Sequence, residues 1–122
     1  MFEDVLKDAV HRTEGGIAAL VMGFDGIPLE SYLREDSKMP LEVETIGMEY
    51  SVILKEIRKA AQLLDAGAAR EVSIQAEKLT TVIRMLNDDY FVAMAIEPGG
   101  NHGKARWLLR QAGPRLASEL GG

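Results

Sequence analysis

The sequence predicts a layered α/β domain in the order α-β-β-α-β-β-β-α, a five-stranded antiparallel sheet with helices on both faces. Three observations predict it. The segments 17–22 and 90–96 are apolar almost without interruption, the pattern of strands buried on both sides. A long stretch from residue 40 to about 66 repeats its apolar residues at spacings of three and four, as one helix would. The last three candidate strands are joined by connections so short that only antiparallel neighbours fit them.

Taken in order, residues 2–13 place Phe2, Val5, Leu6, Ala9 and Val10 on one helical face, with Glu3 and Asp4 in the first turn, where the helix dipole favours them. Gly15 and Gly16 end this helix. The strand 17–22 follows, and Phe24-Asp25-Gly26 supplies the turn chemistry that reverses the chain into a second strand over 27–34. Pro28 cannot donate a ladder hydrogen bond, so that strand belongs at a sheet edge or has its proline at its start. A polar loop at 35–39 leads to Pro40, suited to the first position of the long helix, and Gly67 closes it. Strands are expected over 70–76, 79–86 and 90–96, with 17–22 and 90–96 central. The loop 97–101 opens a final helix over about 103–120, with Trp107, Leu108, Ala112 and Leu116 at helical spacing and a kink at Gly113-Pro114.

With 122 residues, 47% hydrophobic and 27% charged, the chain is expected to form a single domain over 1–122. The apolar run 17–22 is far short of the roughly 20 residues a membrane helix needs, and no basic leader opens the chain. A cytoplasmic protein without membrane insertion is the expectation. There is no cysteine, hence no disulfide or thiolate metal site. A net charge of -5 opposes a phosphate backbone, so nucleic acid is not an expected partner.

The long helix has one apolar face too many. At 100° per residue, Val43, Ile46, Tyr50, Ile53, Leu54, Ile57, Ala60, Ala61 and Leu64 form a broad stripe for its own sheet. Leu41, Met48, Val52 and Leu63 form a narrower stripe roughly opposite, which cannot reach that sheet. Glu42, Glu49 and Glu56 make a row between them, while Lys55, Arg58, Lys59 and Gln62 gather on the remaining arc. Scattered exposed apolar residues are ordinary. A grouped set rimmed by charge instead marks an interface, and a two-fold homodimer would satisfy both copies with one patch.

No residue is assigned to catalysis, a cofactor or a metal. The segment Glu97-Pro98-Gly99-Gly100-Asn101-His102-Gly103-Lys104-Ala105 has the strand-to-helix setting of a phosphate loop. The Walker pattern fails where Pro98 replaces its first glycine and Ala105 its Mg-binding hydroxyl, which leaves a weak anion site as the functional alternative to a plain turn. His11 and His102 share no metal-ligand spacing with carboxylates. Asp88 and Asp89 sit where a turn needs Asp. Ser31, Ser37, Ser51, Ser73 and Ser118 lie in no nucleophile setting.

The apolar strand closing in Phe24-Asp25-Gly26-Ile27-Pro28-Leu29-Glu30-Ser31 and the Gly103-Lys104-Ala105-Arg106 helix start, within this element order, resemble the roadblock / dynein light chain family, of profilin-like and longin-like architecture. The likeness spans nearly the whole chain. One departure is Gly47 followed by bulky Met48, Tyr50 and Val52, where the family often has small residues. The resemblance implies a homo- or heterodimer, its long helices paired on one side of a sheet continuing across the interface. It also implies a Ras-like small GTPase as partner, since bacterial members act on GTPases of polarity or motility as activators or scaffolds. By the same resemblance the polar arc receives the GTPase, with Ser51, Lys55, Arg58 and Gln62 as contact candidates. A dimerising adaptor without nucleotide sensing, and a small-molecule or anion sensor using the loop from Gly99 to Lys104, are the alternatives.

Overall fold

The structure, a computed structural model, describes residues 2–37 and 42–121. The elements follow the expected order: α1 (Phe2–His11), β1 (Gly16–Gly23), β2 (Pro28–Leu33), α2 (Val43–Leu63), β3 (Glu71–Gln75), β4 (Thr80–Met85), β5 (Tyr90–Ile96) and α3 (His102–Glu119). All pairings are antiparallel, in the order β2-β1-β5-β4-β3. The expected helix start at Pro40 lies outside the described residues.

The apolar runs dictate the centre. β1 is buried along its whole length and β5 from Phe91 to Ile96, because each is flanked by strands and covered on both faces. Pro28 opens β2 at one sheet edge, opposite an irregularity between Val21 and Met22, so its missing N–H interrupts no central ladder. At the hairpin, Gly26 takes φ +86° and Asp25 Oδ1 accepts from the Ile27 amide at 3.0 Å, the turn chemistry expected of Asp-Gly.

Alternation along the strands sorts side chains into two cores. On one face Leu6, Ala9 and Val10 of α1 and Ala105, Leu108, Leu109 and Leu116 of α3 close over Ala19, Val21, Val82, Val92 and Met94. On the other, α2 lies on Leu20, Met22, Ile83, Phe91 and Ala93 through Val43 and Leu54. Gly47 lets α2 settle, since a Cβ there would meet Leu20 Cδ1 at 2.7 Å and Met22 Cε at 2.8 Å.

Three expectations need correction. Trp107 is not core: it is exposed on α3, with Lys104 Nζ 5.1 Å from its ring centroid, while Ala105 and Leu109 take the inward positions. Pro114 lies inside α3, which continues to Glu119 as expected, because the buried Leu108, Leu109 and Leu116 hold both halves to the sheet. Gly67 does not close α2. The left-handed residue is Asp65, φ 56°, where its amide donates to Gln62 and the Ala66 amide to Ala61, a Schellman closure made by a non-glycine. Finally, Ile53, Ala60 and Leu64 do not reach the sheet and stand exposed on α2.

A left-handed conformation costs a residue with a Cβ about 1–2 kcal/mol, and glycine little. Asp65→Gly is therefore expected to raise the stability measured by urea unfolding by about 1 kcal/mol; a loss of stability would show that the Asp65 side chain, not its backbone, closes the helix.

Candidate functional site

The broadest departure from a self-sufficient fold is on α2. Strands stand about 4.8 Å apart and a helix with its side chains is about 10–12 Å across, so one helix covers roughly half the width of a five-stranded face. The opposite face is covered by two described helices, α1 and α3, which also contact each other. Under α2, which packs on β1 and β2, the residues Val72, Ile74, Leu79 and Met85 of the β3–β4 side are only partly buried.

The outward side of the same helix is apolar. Met48 is 52% exposed, Val52 59% and Leu63 80%, the three described members of the predicted second stripe; Leu41 lies outside the described residues. Ile53 and Leu64, expected on the sheet-facing stripe, are 49% and 77% exposed, on the other side of the row of Glu49 and Glu56. The physical reason is curvature: a helix touches a sheet along a narrow line, here Val43, Gly47, Ser51 and Leu54, and the edges of a broad stripe lift away from it. Ile53 sits directly beside Leu54 in sequence, hence a quarter-turn around the helix, which was the available signal.

The contact candidates on the polar arc separate. Ser51 does not face outward: it is 3% exposed and its hydroxyl donates to the Met48 carbonyl at 2.7 Å. A one-turn bond of this kind satisfies a small polar residue within a helix–sheet seam. Arg58 is half-buried, its guanidinium 4.2 Å above the Phe24 ring and 3.9 Å from Asp88, a cation–π contact that fixes it on its own domain. Arg58 and Gln62 line one shallow hollow with Arg70, Met85, Asn87 and Asp88. Lys55 is exposed and stands outside that hollow. Ile27 and Leu29, which the sequence reading passed over, are also exposed beside the β1–β2 hairpin.

The glycine loop is occupied by its own backbone. The amides of Glu97 and Asn101 donate to the carbonyls of Gly15 and Glu14, that of Gly100 to Glu97, and that of Lys104 to the Asn101 side chain, which caps α3. An anion cradle needs such amides unpaired and convergent. Lys104 itself lies against Trp107. No group of His, Cys, Asp and Glu among the described residues could hold a metal ion, and no described helix is long and apolar enough to cross a membrane.

Element order and strand order together define a roadblock-type layered domain. No family model matches the sequence, and no curated protein does. Among solved structures the chain is similar to MglC from Myxococcus xanthus, 37% identical over 95% of this chain and 96% of that one, with a TM-score of 0.69. It shares its fold with the gliding protein MglB from Thermus thermophilus, 18% identical over 94% and 84% of the two chains at a TM-score of 0.83. A Roadblock/LC7 domain from Streptomyces avermitilis, 14% identical over 93% and 96%, superposes at a TM-score of 0.74. The chain belongs to the roadblock/LC7 family.

With those amides engaged, thermal midpoints in phosphate and in chloride of equal ionic strength are expected to coincide, for the natural chain and for Lys104→Ala alike. A phosphate-dependent rise abolished in Lys104→Ala would restore the anion-sensor reading.

Proposed function

We propose that this chain is a homodimeric regulatory module that binds a Ras-like small GTPase and modulates its nucleotide cycle or its location. The observation that carries the reading is the apolar outer face of α2, built from Met48, Val52 and Leu63. A patch of this kind on one helix, above a sheet face that the helix half covers, is complementary to a second copy of itself. The sheet offers a matching edge. β3 has no proline and places Val72 and Ile74 on the α2 side, whereas Pro28 blunts the β2 edge. Helices paired over strands joined at β3 would bury both apolar surfaces at once.

Family membership supports the GTPase as partner, since a Ras-like protein is what the roadblock resemblance implies. Lys55 and Gln62 are the contact residues that this structure leaves exposed. In the same reading Ser51 contributes helix–sheet packing, and Arg58 reaches a partner only by leaving Phe24. That engagement of two of the four candidates favours, as a second reading, an adaptor that dimerises without sensing nucleotide.

Charge placed in the centre of an apolar interface leaves it desolvated and unpaired, at a cost of several kcal/mol. Met48→Glu and Val52→Glu are expected to give folded monomers by light scattering with circular dichroism as the check on folding; dimers that persist in both would remove the interface from α2. The two functions part on nucleotide dependence. A regulator binds the GTP-loaded and GDP-loaded forms of its GTPase with different affinities, expected to differ about tenfold or more, while an adaptor binds them equally.

A further inference from the structure

A second surface lies on the opposite side of the molecule, away from α2. Glu71 opens β3 with its carboxylate largely covered, and three arginines converge on it. Arg106 donates from Nε and Nη2 to one carboxylate oxygen at 2.9 and 2.6 Å. Arg84, paired in register with Glu71 across the β3–β4 ladder, brings Nη1 to 3.5 Å from the other oxygen, and Arg110 brings Nη2 to 3.9 Å. Arg106 and Arg110 stand one turn apart on α3, their side chains 42% and 55% exposed.

Three guanidinium groups against one carboxylate leave two positive charges without a partner, and among the described residues no second carboxylate pairs with them. Each guanidinium presents five N–H donors in a planar fork, of which the single Glu71 carboxylate engages a minority. Glu71 thus gathers and orients the arginines without neutralising them. In a chain of net charge -5 such a surplus is local, fixed by a strand and a helix, and shaped for planar anions.

We propose that Arg84, Arg106 and Arg110 form a docking site for an acidic segment of a partner protein, with Glu71 as the residue that positions them. Carboxylate is the favoured anion because the cluster already holds one with two N–H donors of Arg106 and has no lysine in it. A membrane or nucleic acid is disfavoured because a phosphate polyanion meets the negative field of the whole chain, while a short acidic segment meets the patch alone. The site lies on the α3 side of the sheet and uses none of the α2 residues, but Glu71 belongs to β3, the edge at which the proposed dimer joins, so peptide binding and oligomeric state are measured separately on each variant.

The test uses the full chain and a labelled polyglutamate peptide, titrated by fluorescence anisotropy. Saturable binding that weakens with added salt is expected, about tenfold or more weaker in Arg110→Glu, and unchanged in Arg115→Glu, an exposed α3 residue outside the cluster. Glu71→Gln, checked for folding by circular dichroism, is expected to bind several-fold more weakly, because the arginines lose the carboxylate that holds them together; unchanged or tighter binding would overturn the positioning role given to Glu71. The proposal is overturned if the peptide does not bind, if Arg110→Glu binds as well as the natural chain, or if phosphatidylglycerol vesicles or a phosphopeptide bind and polyglutamate does not.

Discussion

Two adjacent strands, β1 and β5, are apolar on both faces, and the rest of the molecule is arranged to keep water from them. Each side chain of the size of Phe91, Met94 or Ile96 contributes about 1.5–3 kcal/mol only while fully covered. Both faces therefore need a layer of helix. On one side α1 and α3 provide it as a pair, contacting each other as well as the sheet. On the other α2 is the one helix among the described residues, drawn close by the missing side chain at Gly47. The same demand that closes the first face leaves the second half dressed.

This asymmetry accounts for where the apolar residues of α2 end up. A helix resting on a flat layer buries one narrow line of residues, and Val43, Gly47, Ser51 and Leu54 are that line. The flanking Ile46, Tyr50 and Ile57 are partly covered, and everything beyond them faces outward whatever its polarity. The two ends of α3 meet the opposite condition. Buried leucines on both sides of Pro114 outweigh the single backbone hydrogen bond that the proline cannot make, and the helix passes through it.

The Gly99–Gly100 loop and the Glu71 cluster illustrate how tertiary contacts reassign chemistry that a local reading cannot place. A glycine pair before a helix looks like a ligand cradle because its amides are free in isolation. In the fold, the α1–β1 connection lies against that loop, the carbonyls of Glu14 and Gly15 engage the amides of Asn101 and Glu97 on either side of the pair, and the Gly100 amide turns back to Glu97. Glu71 and Arg106 are the reverse case: unremarkable residues far apart in the chain, brought to 2.6 Å because β3 pairs with β4, the strand on which α3 packs. Lys104 and Trp107, one turn apart on α3, needed no such contact to meet.

The sequence by itself determined the element order, the hairpin at Asp25-Gly26, the central place of β1 and β5, the restriction of Pro28 to a sheet edge or a strand start, and the outward stripe of Met48, Val52 and Leu63. Those features follow from local periodicity, from turn chemistry and from a missing N–H, which act within a few residues and are visible in any short window. Only the tertiary structure decided that Ser51 and Arg58 turn inward, that Ile53 and Leu64 turn outward, that Asp65 rather than Gly67 closes α2, and that three arginines share one carboxylate. Each of these depends on the distance and tilt between a helix and a sheet, quantities set by packing across the core that no one segment of the chain encodes.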